Sequence, residues 1–164
     1  MEHGDEHYPK VIIWDLDGTI WEPEMYQLWG GGAPFARPHA DHLGVHDRAG
    51  QEIVVLGHAR QILAHHRRAL GHVRHAIAST CDEPAWAHEC LRKIRVDERH
   101  ERESALHLHF DPDLVEIYKA YSKETHFKAI AKKSGVALKD MIFFDNQVRD
   151  AKRNERLITH GRAQ

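Results

Sequence analysis

Apolar residues in this chain fall into short continuous runs separated by stretches with helical spacing. Lys10-Val11-Ile12-Ile13-Trp14 is β-branched and aromatic and ends on Asp15. Such a run predicts a strand buried on both faces, as in a parallel sheet. Val73 to Ala78, ending on Ser79, is a weaker run of the same kind, and Met141-Ile142-Phe143-Phe144, ending on Asp145, is the clearest second buried strand. Ser104 to Phe110 alternates, with Leu106, Leu108 and Phe110 set against His107 and His109, which predicts a more exposed strand.

Helices are expected between these runs. Ala59 to Leu70 carries Ile62, Leu63 and Leu70 and stops at Gly71, a suitable C-terminal cap. Asp82 can cap a helix with Pro84 in its first turn, whose apolar face uses Trp86, Cys90, Leu91 and Ile94. Ser122 can cap a third helix that bears Phe127, Ile130 and Ala131 and is closed by Gly135. Strands alternating with helices at this spacing predict a three-layer α/β fold built on a doubly wound parallel sheet. Residues 23–50 interrupt the alternation: Gly30-Gly31-Gly32, Pro34 and Pro38 exclude a regular helix, and the turn Asp47-Arg48-Ala49-Gly50 precedes Glu52-Ile53-Val54-Val55-Leu56. A flap or hairpin inserted after the first strand is expected there, and long insertions of this kind are commonly functional.

Composition narrows the classes. A chain of 164 residues with 41% hydrophobic content suits one domain, residues 1–164, with a sizeable core. No apolar run reaches the roughly 18 residues of a membrane span. A formal charge of −2 gives no electrostatic reason to expect nucleic acid. The acidic, polar start predicts no secretory signal, and Cys81 and Cys90 form no CxxC, so a soluble, reducing, cytoplasmic setting is expected. Neither cysteine has an arginine six positions on (Ala87 and Val96 stand there), which argues against a cysteine phosphatase. The 16 histidines are scattered. Only pairs such as His42/His46 or His107/His109 could share a metal, given helix or strand respectively, and the plain reading is surface and packing groups that gain charge below about pH 6.5.

The chemistry concentrates at strand ends, where ligands sit in doubly wound sheets. Asp15-Leu16-Asp17-Gly18-Thr19 closes the first strand, Ser79 and Asp145 close two others, and Lys123 opens the third helix. Three carboxylates, a hydroxyl and an ammonium suit Mg²⁺ plus a phosphate. Two carboxylates about 4–5 Å apart repel by roughly 3–4 kcal/mol at an effective dielectric near 20. A phosphate dianion needs a hard, oxygen-preferring cation to approach them. Lys123 and Ser79 then supply charge and a donor to the phosphoryl oxygens, and phosphoryl transfer asks for little beyond positioning and charge stabilisation.

This order of motifs resembles the haloacid dehalogenase-like (HAD-like) phosphatases. Trp21, Asp47-Arg48-Ala49-Gly50, Asp82-Glu83-Pro84, Lys123-Glu124-Thr125-His126-Phe127 and Phe143-Phe144-Asp145-Asn146 resemble the magnesium-dependent phosphatase subfamily, from about Pro9 to Arg156. The resemblance implies Asp15 as nucleophile and metal ligand, and Asp17 as general acid and then base, with its backbone carbonyl on Mg²⁺. It implies Ser79 and Lys123 as phosphate binders and Asp145 as a further metal ligand. It also implies a cap-less domain acting on phosphotyrosine, phosphoprotein or sugar phosphate. Asn146 stands where many relatives have a second acid, with Asp150 as an accessory candidate, and Thr80 stands where some have arginine. The element after about residue 150 is shorter than in relatives. An alternative reading is an impaired relative that binds Mg²⁺ or phosphate without turnover. A receiver-type phosphoacceptor fits less well, because receivers place the acceptor after a later strand.

Overall fold

The structure, a computed structural model, describes residues 8–97 and 104–146. In chain order its elements are β1 (Val11–Trp14), β2 (Trp21–Glu22), β3 (Val45–His46), β4 (Glu52–Val55), α1 (Gly57–Ala69), β5 (Arg74–Ser79), α2 (Pro84–Lys93), β6 (Val115–Ile117), α3 (Glu124–Ser134) and β7 (Met141–Phe144). A four-stranded parallel sheet runs β6-β5-β1-β7, with Trp14 paired to Ile77 on one side and to Phe144 on the other.

β1 is apolar at every position because both of its faces are covered. Ile12 and Trp14 join a core with Leu63 of α1 and Ala87 and Leu91 of α2, whereas Val11 and Ile13 join Phe127 and Ile130 of α3 on the opposite face. The chain steps outward from β1 to β5 and β6, then returns across β1 to form β7. Right-handed crossovers in opposite directions put their helices on opposite faces, and the reversal opens a crevice at the carboxyl ends of the strands. The α/β, three-layer architecture is as the sequence predicts.

The insertion expected as a flap or hairpin over residues 23–50 takes the hairpin form and is firmly packed. β2, β4 and β3 form a small antiparallel sheet, and Met25, Leu28, Phe35 and Val45 are buried in the larger core. Asp47 anchors the loop through the backbone N–H groups of Gly32 (2.9 Å), Ala49 (2.9 Å) and Gln51 (2.8 Å). Burial alone would raise its pKa, but these donors hold it below the usual carboxylate range.

Several local expectations need correction. Residues 104–110 are not a strand: Leu106–His109 is a 3₁₀ turn, and Leu108 is 44% exposed. With three residues per turn, the alternating leucines do not share one face. Asp82 does not cap α2. Glu83 stands at that position without a side-chain cap, while Asp82 pairs with Lys119 at 2.8 Å. Lys123, not Ser122, precedes α3, and Gly135 closes that helix at φ +69°. Among the described residues β7 is covered on one face only: Met141 is buried, but Ile142 and Phe144 are 42% and 38% exposed, and the strand, paired on one side with β1, ends the described sheet. Asp150 and the shortened C-terminal element expected from the sequence lie outside the described residues.

Candidate active site

Strand register brings the site together. Asp15 follows β1, and its N–H donates to the Phe144 carbonyl at 3.0 Å, which sets it beside Asp145 at the end of β7. The next turn needs Gly18, whose φ is +72°, and a Cβ there would run into the Asn146 side chain. Asn146 N–H in turn donates to Thr19 Oγ1 at 3.0 Å, which ties the β7 end to the first motif. Across the crevice, His126 is fully buried in α3, with its Nε2 3.1 Å from the Ser79 carbonyl and 3.2 Å from that of Tyr118. That contact fixes the start of α3, and with it Lys123, against the ends of β5 and β6.

Lys123 is the hub. Its Nζ lies 2.9 Å from Asp15 Oδ1 and 2.8 Å from Asp145 Oδ2, and all three side chains are almost closed to solvent. Asp17 is held differently: its Oδ1 accepts from Trp21 Nε1 at 2.7 Å and its Oδ2 from the Met25 N–H at 3.1 Å. Asp15, Asp17, Ser79 and Lys123 line one cleft of about 280 Å³, together with Thr80, Asn146, Glu24, Tyr26 and Tyr121. Asp145 sits beneath Lys123, out of contact with solvent. Every site residue singled out from the sequence within the described residues thus lies in or directly under this cleft.

Burial raises the Asp15 pKa to about 6; Lys123 opposes the rise and the neighbouring Asp145 charge adds to it. Burial also raises the Asp17 pKa, against the hydrogen bonds from Trp21 and Met25. Three carboxylates therefore face one ammonium, which leaves two formal negative charges uncompensated in a poorly solvated pocket. An all-oxygen donor set with that deficit fits a hard divalent cation.

Sequence reasoning did not foresee the rim. Glu24, Tyr26 and Tyr121 line the cleft, and the two tyrosines are 61% and 98% exposed. No motif marks them. Trp21, four residues after Asp17, was the one available hint that the Asp17 carboxylate has a local donor.

Comparisons with known proteins bear on the family and the fold. A family model described as Acid Phosphatase matches residues 7–160. A HAD-like hydrolase superfamily protein of Schizosaccharomyces pombe is 30% identical over 148 residues, covering 87% of this chain and 78% of that protein. Among solved structures, the N-terminal part of a Bacteroides fragilis protein, containing a phosphatase domain complexed with Mg, superposes with a TM-score of 0.53 at 15% identity. That match covers 95% of this chain and 35% of the other, so the chain spans about a third of that structure. Fold and site define a HAD-like hydrolase. The chain belongs to the acid phosphatase family of that superfamily.

Proposed function

We propose that this chain is a Mg²⁺-dependent phosphatase that hydrolyses phosphate monoesters through an aspartyl-phosphate on Asp15. The observation that carries the reading is the Lys123 ammonium held between Asp15 and Asp145 in a cleft that also presents Asp17 and Ser79. Asp15, the Asp17 backbone carbonyl and Asp145 would hold the metal. Bound there, Mg²⁺ would neutralise the charge deficit and polarise a phosphoryl oxygen.

The rest of the chemistry falls to the chain's own groups. A carboxylate oxygen of Asp15 attacks phosphorus in line while the bond from phosphorus to the ester oxygen breaks. Asp17 donates its proton to that leaving oxygen. A water then attacks the aspartyl-phosphate as Asp17 takes up its proton; the phosphorus–oxygen bond to Asp15 breaks, and phosphate leaves with Asp15 again a carboxylate and Asp17 again protonated. Asp17 suits this double duty because burial has raised its pKa and two donors fix its orientation. Two protons of the Lys123 ammonium face carboxylates, and the third remains for a phosphoryl oxygen, with the Ser79 hydroxyl as a further donor.

The substrates proposed are phosphotyrosine or other phosphoprotein esters, with sugar phosphates as the second class. Exposed Tyr26 and Tyr121 at the mouth support a bulky or aromatic leaving group, since aromatic faces pack well against one another. A single domain working in the cytoplasm remains the setting proposed. The test is hydrolysis of phenyl phosphate by the purified chain, with Mg²⁺ and with a chelator. Turnover that requires Mg²⁺ and disappears in Asp15→Asn is expected. Equal turnover in that variant would overturn the reading.

A further inference from the structure

We propose that His42, His46 and Glu52 form a second metal site, on the small antiparallel sheet, that takes a transition-metal dication of the zinc class. One imidazole nitrogen from each histidine and one carboxylate oxygen of Glu52 lie within 4.8 Å of one another. A tetrahedral site with bonds of about 2.0–2.1 Å needs ligand atoms about 3.4 Å apart; the His42 Nε2–Glu52 Oε1 pair, at 2.7 Å, would open slightly and the wider pairs would close to reach it.

The backbone explains why these three meet. His46 and Glu52 are directly paired across β3 and β4, so their side chains leave the same face of the ribbon. His42 arrives from the preceding turn, where its N–H donates to the His39 carbonyl at 3.1 Å and the Arg95 N–H holds the Leu43 carbonyl at 2.7 Å. Gly44 makes the approach feasible. A Cβ there would stand 2.5 Å from the Ile53 carbonyl oxygen and 3.5 Å from His42 Nε2. The His42 and His46 rings meet edge to face at 5.4 Å, and the His39 ring, which pairs with Asp41, flanks His42 at 5.2 Å.

The cluster also carries an unmet demand. His42 Nε2 is closed to solvent and lies 2.7 Å from Glu52 Oε1, yet it makes no hydrogen bond among the described residues. A buried imidazole nitrogen facing a carboxylate without hydrogen-bond geometry needs either a proton or a cation between the two. A second imidazole in reach favours the metal. Two neutral imidazoles and one carboxylate form the borderline donor set that zinc-class ions prefer and Mg²⁺ does not. Water would fill the fourth position, and the metal would stitch the 39–44 turn to both strands of a ribbon whose β3 is two residues long.

The test uses the untagged full-length chain with excess Mg²⁺ to saturate the aspartate cleft. Zn²⁺ is titrated calorimetrically, and Co²⁺ is followed by its visible absorption. One equivalent with a tetrahedral Co²⁺ spectrum is expected, accompanied by a rise in Tm. Affinity should fall at least about tenfold in His46→Ala and in Glu52→Gln, and stay unchanged in Asp145→Asn and in the exposed-histidine control His72→Ala. Glu52 is exposed, so Glu52→Gln keeps the test decisive should His46→Ala fold poorly. Zn²⁺ affinity retained in Glu52→Gln, loss of the equivalent in Asp145→Asn, or no saturable equivalent in the parent chain would each overturn the proposal.

Discussion

The two sheets carry two side-chain clusters of opposite character. At the carboxyl ends of the parallel sheet, Asp15, Asp17 and Asp145 form an oxygen-only group in which Lys123 bridges the nearly sealed Asp15 and Asp145 side chains. On the antiparallel ribbon, His42, His46 and Glu52 form a nitrogen-rich group that is half-exposed and has no lysine or arginine bridging it among the described residues. The difference lies in how each is built. Strand ends in a parallel sheet converge on a common crevice, so residues far apart in sequence are forced together with their charges buried. An antiparallel pair merely sets partners face to face, at a distance that leaves room for solvent. The first arrangement must be electrically compensated to fold at all; the second need not be.

Separating the clusters by mutation gives the largest expected effect. Asp15→Asn should lower kcat for phenyl phosphate on the order of 10⁴-fold or more, since it removes the attacking group. His46→Ala should leave that kcat within about twofold. A steady-state assay of both variants at saturating Mg²⁺ checks the contrast, and a comparable loss in His46→Ala would mean the two sheets are functionally coupled.

Lys123→Met asks what compensation is worth. Removing the ammonium leaves Asp15 and Asp145 facing one another in a closed pocket, a situation that costs about 3–5 kcal/mol when one member of a buried pair is lost. Urea unfolding at neutral pH with chelator present should show a loss of that order. Added Mg²⁺ should stabilise the variant more than the parent, because the cation then does the neutralising that the lysine did. Deleting the exposed pair between Lys128 and Glu124 should change stability by less than about 0.5 kcal/mol.

Asp17→Asn should be milder and selective. An amide cannot donate or accept the proton as a carboxyl does, so hydrolysis of esters with basic leaving groups should slow about 10²–10³-fold, with a smaller loss for activated aryl esters. Comparing phenyl phosphate with a nitrophenyl ester measures the difference. Trp21→Phe, which removes only the Nε1 donor to Asp17, should shift the same comparison in the same direction by about tenfold or less.

Much of the cleft was legible beforehand because Asp15, Ser79 and Asp145 each end an apolar run, and a doubly wound sheet turns shared strand ends into a shared place. Val115–Ile117 was not. It is three residues long with Glu116 at its centre, a buried glutamate made tolerable there by its contacts with Lys133 and Tyr118. The rim tyrosines Tyr26 and Tyr121 were hidden for another reason: Tyr26 sits in a single 3₁₀ turn and Tyr121 in irregular backbone, neither long enough to show a periodicity. The histidine cluster shows the limit most clearly. His42 and His46 are spaced four apart, which suggests a helix, yet they meet across a turn and a strand. Glu52 joins them solely through β3–β4 register.

Acid sensitivity offers the smallest and broadest contrast, because it belongs to neither cluster. His75 is buried on β5, accepts at Nδ1 from Trp14 Nε1 at 3.0 Å, stacks with the Trp14 ring and meets the His66 ring edge to face at 5.1 Å. Burial, reinforced by His66 and His109, lowers its pKa to about 4, and burial with the Arg67 charge does the same for His109. Both are ordinary histidines near 6.5 once the chain unfolds. Above pH 6.5 both states are neutral and the native fold loses nothing. As pH falls from 6.5 towards 4 the unfolded chain binds protons that the native one refuses, so stability declines, by at most about 3 kcal/mol for each group. Below about 4 this contribution levels off. The raised Asp15 pKa works the other way below about pH 6, so the histidine contribution is read as a difference. In urea unfolding between pH 7.5 and 4.5, His75→Gln, whose amide oxygen can still accept from Trp14, should lose less stability than the parent chain, by up to one proton in slope. An unchanged slope in that variant would mean His75 already carries its proton inside the fold, where Trp14 could no longer donate to it.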